Sequence, residues 1–215
     1  FFSVFNFDVT HESKMWLHRD KPLTVDPKKV PLPPYFPDTE TVRNDVARNY
    51  SNIELLDQMV GKLILELKAD NLFDNTYIFF FSDHGGPLPR GKRSHYESGL
   101  KVPLLIRDPY VKSKIFVEEP VSFVDFAPTI LSLAGISIPE HFQGIPFLGD
   151  KKSEKQRDYI FGSGDRFDET YDRVRSVISD KFIYVKNYHT DRPAYKDVLY
   201  RKNIDMTNEM LMLYN

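Results

Sequence analysis

Two short polar segments of this 215-residue chain carry side chains that could bind an anion or a metal ion. Residues 8–12 (DVTHE) follow the aromatic run 1–7, and residues 83–86 (DHGG) follow the apolar run 76–82. Ligands of open α/β sheets gather beyond the carboxyl ends of the strands, so both segments are candidate parts of one site. An adjacent Asp and His can both reach a divalent cation, and the glycines after them permit the turn this needs. Taken alone, however, the dipeptide favours a turn that simply ends a strand.

The elements that must position these segments are two apolar strands and a long helix. The run 1–7 is rich in aromatic residues and the run 76–82 is mostly apolar, which is typical of strands buried on both faces. Between them, 41–69 carries apolar side chains along one helical stripe, after an irregular stretch to about residue 40 that holds six of the 15 prolines. Two such strands joined by a helix indicate a βαβ crossover. We therefore predict an α/β fold with a mostly parallel mixed sheet flanked by helices.

The second half of the chain changes in character. We expect a third short strand over 102–106 and a helix over 124–134, and then the short strands 159–162, 174–178 and 182–185, with a final helix from 205. The last three strands predict a small antiparallel subdomain added to the α/β core. The predicted division is a core domain over 1–150 and the start of a C-terminal subdomain over 151–215.

Composition excludes several classes of function. The 29 Lys and Arg against 31 Asp and Glu give a formal charge of −2, so no nucleic-acid partner is expected. The absence of cysteine excludes disulfide scaffolds, zinc–thiolate sites and thiol nucleophiles from these residues. No apolar run approaches the ~20 residues of a membrane span, so no membrane partner is expected. Because the chain opens in an apolar run and closes in a helix, we expect it to be part of a longer protein.

Residues 83–104 (DHGGPLPRGKRSHYESGLKVPL) contain a longer pattern: Asp-His-Gly, a loop, Gly-Lys, and Tyr-Glu-x-Gly-x-x-x-Pro leading into a strand. This block resembles the second half of the sulfatase family, a branch of the alkaline phosphatase superfamily. Residues 8–11, 124–131 with 143–144, and 157–159 resemble the same family in the same order. The proline and glycine spacing in 87–92 is most similar to the branch that contains heparan N-sulfatase.

The resemblance implies a metal site at Asp83 and His84. Sulfatases hold Ca²⁺ or Mg²⁺ with such a pair and with two further Asp from their N-terminal part, which this sequence lacks. Imidazole suits Ca²⁺ poorly, so Mg²⁺ or Mn²⁺ is an alternative to the Ca²⁺ that the family favours. The divalent cation would act as a Lewis acid on the sulfate group.

The resemblance also implies that His11 and Lys92 are catalytic and bind the substrate. Lys92 would place a point charge on a sulfate oxygen, and His11 would hydrogen-bond the sulfate or protonate the departing alkoxide. His95 and Arg166 are further candidate substrate-binding residues. The competing interpretations are a solvated or Glu97-paired His95, and a salt-bridged surface loop over 164–173.

The sulfatase nucleophile is missing from these residues. It is a formylglycine made from Cys or Ser within Cys/Ser-x-Pro-x-Arg, and no such pentapeptide occurs here. The resemblance therefore implies a sulfuric ester or sulfamate hydrolase acting on a sulfated saccharide, with its nucleophile in a missing N-terminal half and a periplasmic, secreted or lysosomal location. A phosphonate or phosphate monoester hydrolase and a non-catalytic carbohydrate-binding relative are the alternatives.

Several polar residues are expected to be ordinary surface groups. Glu12 could orient His11, but a carboxylate at a strand end is usually exposed. Arg90 and Arg93 flank Lys92, where solvated basic side chains are the default. The same default applies to three histidines in polar or loop contexts: His18, His141 and His189.

Overall fold

The computed structural model describes residues 1–155, 157–193 and 195–214. The chain divides into two compact units. The first comprises Phe1–Lys112, Arg166–Asp172 and the residues from Asp191 onwards, and the second comprises Ser113–Asp165 and Arg173–Thr190. The predicted domain boundary at residue 150 remains a prediction. None of the helices among the described residues is long and apolar enough to cross a membrane.

The first unit is organised around one long helix. It contains α1 (Lys14–Leu17), α2 (Glu40–Ala69), β1 (Ile78–Phe81), α3 (Glu97–Leu100), β2 (Leu104–Arg107) and α5 (Asp205–Tyr214), with 3₁₀ turns at Pro27–Lys29, Phe73–Asn75 and Leu199–Asn203. The side chain of Thr39 caps α2 by accepting a hydrogen bond from the backbone N–H of Val42. This helix confirms the sequence prediction over 41–69.

The core of this unit joins residues that are far apart in the chain. Buried side chains of α2 pack with others from the proline-rich segment and from the C-terminal end: Met15, Val30, Phe36, Val42, Val46, Ala47, Ile204 and Met206. Asp45 of α2 accepts a hydrogen bond of 2.7 Å from the backbone N–H of Met206, at the start of α5. The C-terminal helix is thus part of the same core as α2, and its prediction from residue 205 is confirmed to Tyr214.

The prediction of a strand over 1–7 is wrong. These residues have no regular secondary structure, and the side chains of Phe1, Phe2, Val4 and Phe5 are exposed. A strand requires a neighbour for its backbone hydrogen bonds, and among the described residues β1 pairs only with β2. That pairing is antiparallel, with Phe80 opposite Leu105, so the described residues contain no βαβ crossover. The fold is of the α/β class, but the sheet here is not the parallel one predicted.

The second unit contains the helix predicted over 124–134. It is observed as a 3₁₀ turn, Phe123–Asp125, followed by α4, Phe126–Leu133. Asp125 and Ser122 form a capping box at its start. The backbone at Gly144 packs closely against this turn, since a Cβ on Gly144 would lie 1.8 Å from the carbonyl oxygen of Val124.

The predicted antiparallel strands are confirmed in number and place. They are β3 (Ile160–Phe167), β4 (Thr170–Ile178) and β5 (Ile183–Asn187), in the order β3-β4-β5. β4 and β5 are antiparallel, with Ser176 opposite Val185. The expectation of a loop over 164–173 is wrong, because β3 and β4 extend through it to a two-residue turn at 168–169. Buried and more exposed side chains alternate along β4, as expected for a strand. The charged residues of this segment obscure that alternation in the sequence.

Candidate functional site

The Asp83-His84 pair follows β1 and has the chemistry of half a metal site. The Asp83 carboxylate is 84% exposed, and its Oδ2 lies 3.6 Å from Nε2 of His84. Nδ1 of His84 lies 2.8 Å from the carbonyl oxygen of Gly85, which can only accept, so Nδ1 carries the proton. Nε2 is then left with the lone pair that a metal requires. The two donors therefore fit a divalent cation.

These two donors do not complete a site by themselves. Within 1–155, 157–193 and 195–214, no three His, Asp or Glu side chains are grouped as ligands for one ion. A divalent cation held by Asp83 and His84 would need further oxygen ligands from elsewhere.

Glycines after the pair serve close packing rather than an unusual turn. Neither Gly85 nor Gly86 has a positive φ, contrary to the expectation that they permit a sharp redirection of the chain. Instead, a Cβ on Gly85 would lie 2.0 Å from the carbonyl oxygen of Ser98, and one on Gly91 would lie 2.1 Å from that of Gly86. Larger residues at these positions would push apart the backbone segments that shape the loop before α3.

Lys92 lies on this loop between two strained residues. Arg90 and Arg93 have φ values of 66° and 71°, a region that non-glycine residues seldom adopt. The carbonyl oxygen of Arg90 accepts from the hydroxyls of Ser94 and Ser98, and its guanidinium lies over the rings of Tyr35 and Tyr96, 4.3 Å from each centroid. Such strain persists only where the surroundings hold it, and it concentrates at functional sites.

Arg93 is held by two carboxylates. Its Nη1 donates to both oxygens of Glu12, at 2.8 and 2.7 Å, and its Nε and Nη2 donate to Oδ2 of Asp168, at 3.2 and 2.9 Å. The guanidinium side chain is 6% exposed and Glu12 is fully enclosed. The expectations of a solvated Arg93 and an exposed Glu12 are both wrong, because each satisfies the other's buried charge.

In the part of the chain that the structure describes, the ammonium of Lys92 has no hydrogen-bond partner, so it can bind a further anion. Its Nζ is 3.8 Å from Oε2 of Glu12, which is an ion pair but too long for a hydrogen bond, and its side chain is 21% exposed. Its backbone N–H donates to the carbonyl oxygen of Gly86 at 2.8 Å. Lys92 thus combines a fixed backbone with a cation that retains its hydrogen-bonding capacity.

His11 lies within electrostatic reach of this lysine. Burial lowers the pKa of His11, and the nearby ammonium of Lys92 lowers it further, while the carboxylate of Glu12 acts in the opposite direction. The backbone N–H of Ser13 donates to Nδ1 at 3.2 Å, so the neutral ring carries its proton on Nε2. His11, Lys92 and the metal-capable His84, predicted from separate segments, are therefore brought together, with His11 neutral and able to donate a hydrogen bond.

The sequence did not reveal two further residues of this neighbourhood. Tyr200 places its ring 6.4 Å from that of His11 and 5.9 Å from the guanidinium carbon of Arg93. Arg201 is 5% exposed, its Nη2 has no hydrogen-bond partner among the described residues, and burial lowers its pKa. Both lie on the 3₁₀ turn Leu199–Asn203, which carries no motif and no periodicity that could have marked them.

The other candidates have different surroundings. His95 is 7% exposed, so it is not a solvated histidine, and Nε of Arg166 donates to the carbonyl oxygen of Asp168 at 3.1 Å. Their roles in substrate binding remain predictions. His18 is also buried, with Nδ1 2.8 Å from Oδ1 of Asn52, which corrects its expected surface placement.

The second unit contains another buried carboxylate, that of Asp125, just before α4. Asp125 is 2% exposed and accepts from the backbone N–H groups of Ser122 and Ile145, at 2.8 and 2.7 Å. Arg157 donates to the same carboxylate through Nε, at 3.1 Å, and through Nη2. The carboxylate of Asp125 thus joins the start of α4 to the backbone at Ile145 and to Arg157.

Comparison with known proteins agrees with the sequence patterns. The sulfatase family model matches residues 1–136, and the model of the N-sulphoglucosamine sulphohydrolase C-terminal domain matches residues 90–212. An ulvan-active sulfatase from Formosa agariphila is 38% identical over 99% of this chain and 42% of its own length. Human N-sulphoglucosamine sulphohydrolase is 32% identical over 80% of this chain and 37% of its own length. The chain therefore spans about two fifths of these relatives.

Solved structures show the same fold at lower identity. An enzyme solved in complex with its substrate D-glucosamine-2-N,6-O-disulfate is 21% identical, with a TM-score of 0.56 over 81% of this chain and 41% of its own. A phosphonate monoester hydrolase from Silicibacter pomeroyi is 20% identical, with a TM-score of 0.59 over 89% of this chain and 51% of its own. With the family model covering more than half of the residues, the chain belongs to the sulfatase family.

Proposed function

We propose that the protein containing this chain hydrolyses sulfate esters or sulfamates on a carbohydrate. The observation that carries the proposal is the convergence of three segments at Lys92. Its Nζ lies 3.8 Å from Oε2 of Glu12, the neighbour of His11, and its backbone N–H donates to the carbonyl oxygen of Gly86, two residues after His84, at 2.8 Å. A sulfate group is an anion whose charge must be neutralised before attack at sulfur. A lysine held close to a neutral, hydrogen-bond-donating histidine is suited to bind such a group.

The residues of this chain would act mainly by binding and orienting the sulfate. Lys92 would direct its ammonium at a sulfate oxygen, and Nε2–H of His11 would donate to a second oxygen or to the departing oxygen atom. Asp83 and His84 would hold part of a divalent cation site, for Ca²⁺ or alternatively Mg²⁺ or Mn²⁺; the bound ion would supply Lewis acidity. The nucleophile, a formylglycine, and the remaining metal ligands would come from residues outside this chain, as would the strands of a mostly parallel sheet.

The substrate proposed is a sulfated saccharide. The names of the ulvan-active and N-sulphoglucosamine relatives support a carbohydrate. Residues 21–40 and 164–173 are the candidate segments for selecting the sugar. Arg166 and His95 would contribute to saccharide binding. A periplasmic, secreted or lysosomal location goes with a polysaccharide substrate.

Hydrolysis of phosphonate or phosphate monoesters is the second candidate. The Nε2 lone pair of His84 favours it, since imidazole suits Mn²⁺ or another transition ion better than Ca²⁺. The likeness in fold to phosphonate monoester hydrolases is compatible with both reactions.

The test is to assay the complete gene product with N-sulfated and O-sulfated saccharides and with matched phosphonate and phosphate monoesters. We expect the sulfated compounds to be hydrolysed and Lys92→Met to lower kcat/KM on the order of 100-fold or more, because an oriented charge on the reacting group is lost. The matched control is Lys101→Met, which removes an exposed lysine paired with Glu97 just after the same loop. Hydrolysis of the phosphorus compounds alone would overturn the proposal, and saccharide binding without hydrolysis would support the non-catalytic alternative.

A further inference from the structure

The loop that carries Lys92 is connected by Arg93 to a distant part of the chain. Asp168, which accepts two hydrogen bonds from Arg93, lies at the two-residue turn between β3 and β4, 75 positions later in the sequence. The same guanidinium donates to Glu12, the neighbour of His11. One buried arginine therefore ties together the segments of His11, Lys92 and the β3–β4 turn.

The connection is buried at Arg93 and about half exposed at Asp168. The Arg93 side chain is 6% exposed and all three of its donating nitrogens have carboxylate partners. Hydrogen bonds between ionised groups are about twice as strong as neutral ones, and a planar guanidinium fixes their direction. Asp168 is itself in a conformation with φ of 48°, so the turn presents its carboxylate from a strained backbone.

The strain in the loop requires such an anchor. Arg93 has a φ of 71°, and relaxation of this residue would move Lys92, its immediate neighbour. A non-glycine residue in this region is strained and persists only when its surroundings fix it. Glu12 and Asp168 are the groups that hold the Arg93 side chain.

We propose that Glu12 and Asp168 are positioning residues that hold Arg93, and through it the strained loop, so that the Lys92 ammonium faces the sulfate group. The inference rests on the proposed function of Lys92. It assigns to the turn of the β3–β4 hairpin a role in orienting a catalytic cation that the turn does not touch. Residues 166–172 belong to the same compact unit as the Lys92 loop, as this role requires.

A double-mutant cycle on the complete gene product tests the proposal. We expect Asp168→Asn to lower kcat/KM roughly 10-fold when Lys92 is present, since a misplacement of about 1 Å can cost as much as 100-fold. In the Lys92→Ala background the same change should alter kcat/KM less than about 2-fold, because its effect passes through Lys92. Asp168→Glu, which retains the charge, should recover most of the loss.

The control is Asp165→Asn, which removes an exposed hairpin carboxylate paired with Arg175 and should leave kcat/KM unchanged. An equal loss from Asp168→Asn in both Lys92 backgrounds, or no loss in either, would overturn the positioning role. If the wild-type protein cleaves no sulfate ester or sulfamate, the proposed function fails instead.

Amide hydrogen exchange gives a second readout that needs no activity. The N–H groups of Gly91 and Lys92 donate to the carbonyl oxygens of Leu88 and Gly86. In Asp168→Asn we expect both amides to exchange at least about 10-fold faster, as the loop opens locally, while the amides of α2 are unchanged. Unchanged exchange at Gly91 and Lys92 would contradict the positioning role of Asp168 even if the enzyme were inactive.

Discussion

Each unit of the molecule contains a buried carboxylate paired with an arginine, and the two pairs are built differently. Asp125 satisfies its oxygens with two backbone N–H groups as well as with Arg157. Among the described residues, the carboxylate of Glu12 accepts hydrogen bonds from the side chain of Arg93 and from no backbone N–H, and the ammonium of Lys92 lies 3.8 Å away. A carboxylate bonded to the backbone fixes the chain path, whereas a carboxylate bonded to side chains fixes where charges lie. The first arrangement is suited to stability and the second to a binding site.

The largest effect on stability is expected from Asp125→Asn. The substitution leaves Arg157 without its counter-charge and places an amide where the two backbone donors need an acceptor, so we expect the free energy of unfolding to fall by about 4 kcal/mol. Urea unfolding of the wild type and the variant measures the difference. The control is Asp158→Asn, an exposed carboxylate beside the same arginine, which should change stability by less than about 0.5 kcal/mol. A small loss in Asp125→Asn would remove the distinction between the two centres.

Replacing both partners of each pair by apolar residues sharpens the comparison. In Glu12→Leu/Arg93→Met no buried backbone donor is orphaned, so we expect the free energy of unfolding to stay within about 1 kcal/mol of wild type while kcat/KM falls. In Asp125→Leu/Arg157→Met the N–H groups of Ser122 and Ile145 lose their acceptor, which should cost about 3 kcal/mol. Chemical denaturation of the two double variants measures the loss in the free energy of unfolding for each pair. Equal losses would mean that the backbone bonds of Asp125 are not what separates the pairs.

A partly buried carboxylate, that of Asp45, has no arginine hydrogen-bonded to it among the described residues. Burial raises the pKa of Asp45 to about 6, and the hydrogen bond from the backbone N–H of Met206 only partly offsets it. Because this pKa lies above the usual value of 3.8, the contribution of Asp45 to stability is present at low pH and is lost as pH rises through about 6.

We therefore expect the wild type to lose about 2 kcal/mol between pH 4 and pH 8 from this group, a loss that Asp45→Asn should lack. The measurement is the difference in unfolding free energy between wild type and variant at several pH values. A difference that does not change with pH would show that burial does not raise the pKa of Asp45.

The sequence predicted those parts of the fold and site that depend on local pattern. Patterns among neighbouring residues predict α2 and the short strands β3 to β5. The roles proposed for His11 and Lys92 come from contiguous motifs. The strand over 1–7 was mispredicted because apolar composition indicates burial, while a strand also needs a partner that composition does not supply.

The site residues that were missed depend on distant contacts. Glu12 resembled an exposed carboxylate because Arg93, which encloses its charge, lies 81 positions away. Tyr200 and Arg201 follow no motif and enter the site only because Ile204 and Met206 bring the C-terminal end into the core. Charge pairing across such separations leaves no periodic signal in a single sequence.

The hydrogen bond between Asp45 and Met206 has a consequence for the order of folding. It closes a loop of 161 residues, and the core side chains Val42 and Ile204 belong to one hydrophobic cluster across a similar span. At a synthesis rate of about 5–20 residues per second, α2 would wait roughly 8–32 s on the ribosome before its partners appear. During that interval the apolar stripe of α2 is exposed to solvent. Folding of the first unit therefore depends on the late closure of a long loop, which is an intrinsically slow step. A chain that exposes apolar surface during a slow step is a typical substrate of chaperones.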